Sequence, residues 1–164
     1  MAATQVAELL RVLDRFGVEF VLVGSAAAIL LGAGYSTEDI DIVPNFSAAN
    51  LDRLLAALQD LEARYLDLAG RTFLPDERRL RENRLNLLVT RLGRLNILQS
   101  IEPDRTFERL LERSSTLDVE GIAVRTVDLE TLIEAKEIAN RDKDRAHLLI
   151  LREAFRLSRL KNGA

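Results

Sequence analysis

Apolar residues near the start of the chain repeat every three or four positions, as they do in an amphipathic helix. This spacing predicts a helix over about residues 5–16. An uninterrupted apolar run at 20–23 is instead typical of a short buried strand. An alanine-rich helix over 26–31 and a second strand that closes at Pro44 follow, since proline cannot donate to a sheet ladder.

The rest of the chain alternates between the same two periodicities, and two pairs of segments flank glycine-containing turns as β-hairpins do. The pattern predicts one α/β domain over residues 1–164, with a mixed twisted sheet of about five strands and helices packed around it. Further helices are predicted over about 47–61 and 104–111, from 129 onward, and in a last segment that runs to about 160. Further strands are predicted at 65–68 and in two hairpins, 85–90 with 94–99 and 115–119 with 122–126.

Composition narrows the class of protein. The 164 residues, with 48% apolar and 30% charged side chains, suit one domain with a substantial core. The net charge of -3 gives no overall attraction to nucleic acid or membrane. Cysteine is absent and histidine occurs once, which excludes disulfides, thiolate zinc sites and histidine-rich metal sites. No apolar run has the length of a membrane span and no signal peptide is evident, so a cytoplasmic location is expected.

Two carboxylates stand out on the second predicted strand. Side chains alternate between the faces of a strand, so Asp39 and Asp41 share one face while Ile40 and Ile42 share the other. Neighbouring carboxylates repel each other unless a cation lies between them. Mg²⁺ prefers such oxygen ligands and is commonly held by one or two carboxylates together with substrate phosphates.

These residues resemble a motif of the polymerase-β-type nucleotidyltransferase superfamily. That motif has a strand, Gly-Ser, a helix and then Asp-x-Asp on the next strand, and Gly24-Ser25 and Asp39-Ile40-Asp41 match it in order. Either half alone occurs by chance, and a surface strand can carry two aspartates without function. The resemblance implies that Asp39 and Asp41 bind Mg²⁺, and that Gly24 and Ser25 hold the phosphates of a nucleoside triphosphate at a helix N-terminus.

A third carboxylate of the resembled family is missing. Such enzymes carry an aspartate in a strand with a Gly-x-Leu-Asp pattern, and this chain has Gly93-Arg94-Leu95-Asn96. Asn96 keeps an oxygen that can bind a metal, but it has no charge and cannot accept a proton at any useful pH. Three outcomes follow: activity is low, another group substitutes, or the domain binds without catalysing.

The C-terminal segment carries a further resemblance. Lys136 followed by Asn140-Arg141-x-Lys143-Asp144 is similar to the closing signature of small bacterial nucleotidyltransferases, including the toxins of abortive-infection and type IV toxin–antitoxin systems. The resemblance implies that Lys136 lies near the phosphates and that Asp144 lines the same cleft. From the residues alone, Lys136 is equally well a solvated helix residue and Asp144 a first-turn acid. His147 is interpreted as a helix-face residue rather than a base.

The segment 71–94 is basic, with seven arginines and three acids in a chain that is acidic overall. One interpretation is a solvated surface with internal ion pairs. The other is a cationic wall that steers a nucleotide or an RNA end toward the active site.

The resemblance implies a Mg²⁺-dependent enzyme that moves a nucleoside monophosphate from a nucleoside triphosphate to a hydroxyl. The acceptor stays open between an RNA 3′ end, a protein side chain and a small molecule such as an antibiotic. Because of Asn96, the alternative is an inactive domain of the same fold that binds a nucleotide or a protein partner. A third hypothesis is that the chain is itself an antitoxin-like or oligomerising partner protein. For a toxin-like enzyme, the resemblance implies a cognate antitoxin-like protein as the partner.

Overall fold

The computed structural model describes residues 3–34 and 36–163, which form seven helices and seven strands. No helix in this part of the chain is long and apolar enough to cross a membrane. The elements are α1 (Ala3–Arg15), β1 (Phe20–Val23), α2 (Gly24–Leu30), β2 (Asp39–Pro44), α3 (Ala48–Asp60), β3 (Arg64–Tyr65), α4 (Glu77–Glu82), β4 (Leu85–Thr90), β5 (Gly93–Leu98), α5 (Phe107–Leu111), β6 (Ser114–Val119), β7 (Ile122–Val127), α6 (Leu129–Ala139) and α7 (Asp142–Asn162).

All seven strands belong to one mixed sheet in the order β3-β4-β5-β2-β1-β7-β6. The pairs β2–β5 and β1–β7 are parallel, and the other four pairs are antiparallel. The α/β class and the mixed sheet are confirmed, but the expected count of about five strands is too low. All seven predicted strand segments join the one sheet, including the two at its edges, β3 beside β4 and β6 beside β7.

Side-chain caps fix where two of the predicted helices begin. The Ser47 hydroxyl accepts a hydrogen bond from the backbone N–H of Asn50 at 3.2 Å, and the Asp128 carboxylate accepts one from Thr131 at 2.8 Å. Each contact satisfies a backbone donor that the first turn of a helix leaves unpaired. The helix predicted over 104–111 is shorter than expected, because α5 begins only at Phe107.

One face of the central strands is entirely covered. Ile40 and Ile42 on β2 and Leu95 and Ile97 on β5 have no exposed surface, and they share a single core cluster with the leucines of α1 and α3. Burying a side chain of this size stabilises the fold by about 1.5–3 kcal/mol. This packing fixes which way β2 faces, so Asp39 and Asp41 must emerge on its opposite side.

Candidate active site

The parallel pairing of β2 and β5 brings Asn96 beside Asp41. Asp41 lies opposite Asn96 in the register of the two strands, and Asp39 lies opposite Arg94. The Asn96 side-chain Nδ2 donates a hydrogen bond of 2.8 Å to Asp41 Oδ1. Asn96 therefore occupies the position expected of a third carboxylate, but it acts as a neutral donor that holds Asp41 in place.

Two features of the structure favour a glycine at position 24, its backbone conformation and its contact with Asp41. The φ of Gly24, +67°, lies in the left-handed region, where a residue with a Cβ is strained. A Cβ built at position 24 would also lie 2.2 Å from Asp41 Oδ2, far closer than atoms can approach. The turn between β1 and α2 thus brings backbone to within contact of the carboxylate, and Ser25 follows as the second residue of α2.

The electrostatic environment of Asp41 disfavours its charge. Burial raises the pKa of Asp41, and the negative charge of Asp39 raises it further. The hydrogen bond from Asn96 and the positive charges of Lys136 and Lys143 lower the pKa but do not fully compensate. A cation bound between the two aspartates would remove this penalty.

One side-chain oxygen of Asp39 also lacks a hydrogen-bond partner. Its Oδ1 atom is buried without a hydrogen-bond partner, and the nearest cation is Arg94, whose Nη1 lies 4.0 Å away. The backbone of Asp39 is in contrast well fixed, because its N–H donates to Thr37 Oγ1 and its carbonyl accepts from the same hydroxyl. A rigid backbone that presents an unpaired anionic oxygen is suited to a metal ligand.

The donor set fits one Mg²⁺ ion held by two carboxylates. The oxygens of Asp39 and Asp41 are of the hard type that Mg²⁺ binds, and this ion usually takes its remaining ligands from water and substrate phosphates. Across residues 3–34 and 36–163, no cluster of three or more acidic, histidine or cysteine side chains could hold a metal without such help. The arrangement therefore depends on the substrate to complete the coordination.

A second buried carboxylate, Asp144, organises the C-terminal cations. Its side chain has no exposed surface. Lys136 Nζ lies 3.2 Å from Asp144 Oδ1, while Arg141 donates to Oδ2 from its Nε at 2.6 Å and from its backbone N–H at 3.1 Å. Burial acts to raise the pKa of Asp144, but these donors outweigh it and lower the pKa to about 2. Asp144 is thus a paired anchor rather than a solvated first-turn acid.

Lys136 connects this cluster with the aspartates of β2. Its positive charge lowers the pKa of Asp41, and α6, which carries it, contacts α2. His147 on α7 also lies near the ammonium, with its Nδ1 3.5 Å from Lys136 Nζ. Burial and the charge of Lys136 together lower the pKa of His147.

Most arginines of the basic segment 71–94 form ion pairs, and half of these pairs are internal to the segment. Six of its seven arginines have a nitrogen within 4.0 Å of a carboxylate oxygen, three with an acid of the segment and three with Asp39, Asp60 or Asp67 outside it. This pairing favours the first interpretation, a solvated surface with ion pairs, over a cationic wall. The six are Arg71, Arg78, Arg79, Arg81, Arg91 and Arg94.

Sequence reasoning missed the roles of two arginines. Arg94 is two residues before Asn96 on β5 and so shares its face of the sheet, a signal present in the strand period itself. Arg141 was recognised only as part of a motif, and its contact with Asp144 depends on the turn between α6 and α7. In that turn Asn140 adopts a left-handed conformation with φ +48°, which no spacing rule indicates.

The fold and this arrangement define a nucleotidyltransferase-type domain, and the sequence agrees. The family described as nucleotidyltransferases of unknown function (DUF6036) matches residues 1–153, and the chain belongs to that family. No curated protein sequence matches it significantly.

Solved structures share the fold at low sequence identity. A lincosamide antibiotic adenylyltransferase in its lincomycin-bound form has a TM-score of 0.63 at 13% identity, over 94% of this chain and 98% of that one. A putative nucleotidyltransferase from Thermotoga maritima has a TM-score of 0.58 at 16% identity, over 100% and 97%. The enzyme ANT(2″)-Ia, in complex with adenylyl-2″-tobramycin, has a TM-score of 0.60 at 12% identity, over 97% and 92%.

Proposed function

We propose that the chain is a Mg²⁺-dependent nucleotidyltransferase that moves a nucleoside monophosphate from a nucleoside triphosphate to a hydroxyl acceptor. One observation carries this proposal. Asp39 has a buried oxygen without a hydrogen-bond partner, and Asp41, two residues further on the same face, has a raised pKa, so a cation bound between the two carboxylates would stabilise both. Membership of the nucleotidyltransferase family supports the same reaction type.

Each neighbouring residue has a role in this reaction. Gly24 and Ser25 bind the β- and γ-phosphates through their backbone N–H groups. Position 24 must be a glycine for this, because a side chain there would collide with Asp41. Lys136 offsets the charge of the triphosphate, and Asp144 fixes the direction of its side chain. When bound by Asp39 and Asp41, Mg²⁺ supplies charge neutralisation and polarises the phosphate. The residues contribute mainly by positioning, so that the acceptor oxygen attacks in line with the leaving pyrophosphate.

Asn96 supports a rival proposal, a domain that binds a nucleotide without transferring it. Its amide cannot take a proton from the acceptor, whereas an aspartate at this position could. The variant Asn96→Asp separates the two functions. If the chain is a weak enzyme, Asn96→Asp increases turnover of a labelled nucleotide; if it only binds, the variant changes Mg²⁺ affinity while turnover stays at the background rate.

The acceptor that we propose is a small molecule. Two of the structural neighbours are described with antibiotics, lincomycin in one and adenylyl-2″-tobramycin in the other. The internal ion pairs of segment 71–94 give no support to an RNA acceptor. A toxin role with a cognate antitoxin-like protein, and a cytoplasmic location, stay predictions of the resemblance.

Calorimetry tests the site. Each of ATP, GTP, CTP and UTP is titrated with and without Mg²⁺ into the wild type and into Asp39→Ala/Asp41→Ala. We expect saturable binding that requires Mg²⁺ and is lost in the double variant. The control Asp14→Ala/Asp52→Ala removes two exposed helix acids and should leave binding unchanged. Nucleotide binding that persists in Asp39→Ala/Asp41→Ala would contradict the assignment.

A further inference from the structure

A row of side chains crosses the sheet from the candidate active site to its outer edge. Asn96 is paired with Asp41 on one side and with Leu87 of β4 on the other. Beyond Leu87, the backbone N–H of Leu66 donates to the Leu87 carbonyl at 3.0 Å and continues the ladder. Paired residues of neighbouring strands share a face, so Leu87 and Leu66 lie on the same side of the sheet as Asp41.

This side of the sheet is apolar and open to solvent. Leu66, Leu85 and Leu87 are 42%, 49% and 41% exposed, and we refer to these three residues as the leucine shelf. The alternate residues of β4, Asn86 and Leu88, are buried on the other face. Contact of adjacent leucines with water costs free energy, which an apolar group bound against them would recover.

The leucine shelf lies on the free side of the aspartates. Toward β1, Asp41 contacts Gly24, and the residues proposed to bind the triphosphate, in the turn before α2 and at Lys136, lie around it. Toward β5 and β4, the row continues through Asn96 to Leu87 of the leucine shelf. An acceptor must approach the α-phosphorus from the side opposite to the leaving pyrophosphate, which leaves the shelf as its approach.

We propose that the leucine shelf is the acceptor subsite, and that it takes a small hydroxyl compound with an apolar body and a neutral or anionic head. This inference rests on the proposed function. The shelf is far smaller than the 20 or so residues that each side of a stable protein interface contributes, which favours a small molecule over a protein. It has no aromatic side chain on which a nucleobase could stack.

The charge of the acceptor follows from the next row of the sheet. Arg64 and Arg94 are both paired with Val89 and therefore face the same side as the leucine shelf, one row away. Arg94 is 52% exposed and 4.0 Å from Asp39, so it lies beside the row that joins Asp41, Asn96 and Leu87. Two guanidinium groups at this rim repel a cationic acceptor and attract an anionic one.

The reaction balances without a further reactant. The acceptor hydroxyl oxygen forms a bond to the α-phosphorus, the bond between the α-phosphorus and the β-phosphate oxygen breaks, and pyrophosphate leaves with that electron pair. The hydroxyl proton passes to water, since Asn96 cannot accept it.

Three probes with the same apolar body and hydroxyl test the subsite: 8-hydroxyoctanoate, 1,8-octanediol and 8-amino-1-octanol. Each is titrated, without nucleotide, into protein with ¹³C-labelled leucine methyl groups, and chemical shifts are followed by NMR. We expect saturable shifts at Leu66, Leu85 and Leu87, with affinity decreasing from the anionic probe to the neutral and then the cationic one. In Leu87→Gln the affinity for 8-hydroxyoctanoate should fall about fivefold.

The control Leu160→Gln replaces a leucine that is 60% exposed near the end of α7 and should bind like the wild type. Shifts confined to other leucines, equal affinity of Leu87→Gln and wild type, or preference for 8-amino-1-octanol would each overturn the proposal. Because no nucleotide is present, this result is independent of the calorimetric test. If the wild type binds none of the four nucleotides in the calorimetric test while the probes still bind the leucine shelf, the proposed function alone is rejected.

Discussion

Asp144, which is fully buried, and Asp41, which is partly buried, have opposite electrostatic environments. Burial acts to raise the pKa of Asp144, but hydrogen bonds from Lys136 and from the side chain and backbone of Arg141 outweigh it and lower the pKa to about 2. Burial also raises the pKa of Asp41, which receives a side-chain hydrogen bond only from the neutral Asn96 and lies beside the charge of Asp39. Burial acts in the same direction on both carboxylates, so the charged donors around Asp144 account for the opposite result.

The comparison shows how a carboxylate that stabilises the fold differs from one that waits for a ligand. Asp144 has all of its charge compensated by the protein, and it orders the cations around it. The charged form of Asp41 costs the folded protein free energy, which protonation or a bound cation would recover. Incomplete compensation in a fixed geometry is the physical reason for regarding Asp41 as part of a candidate binding site.

The largest expected effect is the difference in stability between variants in which each aspartate is neutralised in turn. Asp144→Asn leaves Lys136 without a buried counter-charge and should lower the free energy of unfolding by about 3 kcal/mol. Asp41→Asn removes an unfavourable charge and should leave stability unchanged or slightly higher, while it abolishes Mg²⁺-dependent nucleotide binding. Urea unfolding without ligand measures both variants. Equal destabilisation by the two variants would show that Asp41 is also a structural anchor.

A smaller effect is expected from Gly24→Ala, which pushes Asp41 out of place. The added Cβ would lie 2.2 Å from Asp41 Oδ2, so nucleotide binding should be lost and stability should fall by about 2 kcal/mol. Gly17→Ala is the matched control, because Gly17 has a similar φ of +69° but only an ordinary contact of 3.6 Å. It should cost about 1 kcal/mol without affecting binding. Nucleotide binding is measured by calorimetry and stability by urea unfolding. Equal effects of Gly24→Ala and Gly17→Ala on both would show that the contact between position 24 and Asp41 has no role.

The smallest expected effect is a difference in pH dependence. The pKa of Asp144 is about 2 in the folded state and about 3.9 in the unfolded chain, so its contribution is present above about pH 5 and is lost as the pH falls toward 2. Asp41 has a raised folded pKa, so its favourable contribution exists at low pH and is lost as the pH rises through that value. The stability difference between wild type and Asp144→Asn should thus shrink on acidification, as measured by urea unfolding from pH 7 to 3; a constant difference would argue against the low pKa.

Local patterns predicted most of the fold. The apolar run of β1, the alternation of β2 and the glycine turns of both hairpins all arise from contacts within a few residues, and these elements are where the sequence placed them. The edges of the sheet were predicted only in part. Strand segments were expected at 65–68 and 115–119, but local patterns do not show which strands join one sheet, and the predicted count of about five was too low. β3 is only two residues long, and its membership of the sheet depends on its pairing with β4.

The part of the candidate site that follows from the alternation of side chains along one strand was predictable. The common face of Asp39 and Asp41 follows from alternation, and the position of Asn96 follows from the resemblance. The hydrogen bond from Asn96 to Asp41 depends on the register between strands separated by 55 positions in the chain, which no local pattern specifies. The leucine shelf was missed for the same reason, because whether a strand face is covered depends on distant elements.

The parallel pairing of β2 and β5 also determines how the site is assembled during folding. The β1–α2–β2 unit and the β4–β5 hairpin each form through contacts close in sequence, and each carries only part of the site. Contacts between segments so far apart in sequence form slowly, because a long loop must close first. A partly folded chain can thus contain every helix and strand while Asp41 still lacks its hydrogen bond from Asn96, because that contact forms only when β2 and β5 have joined.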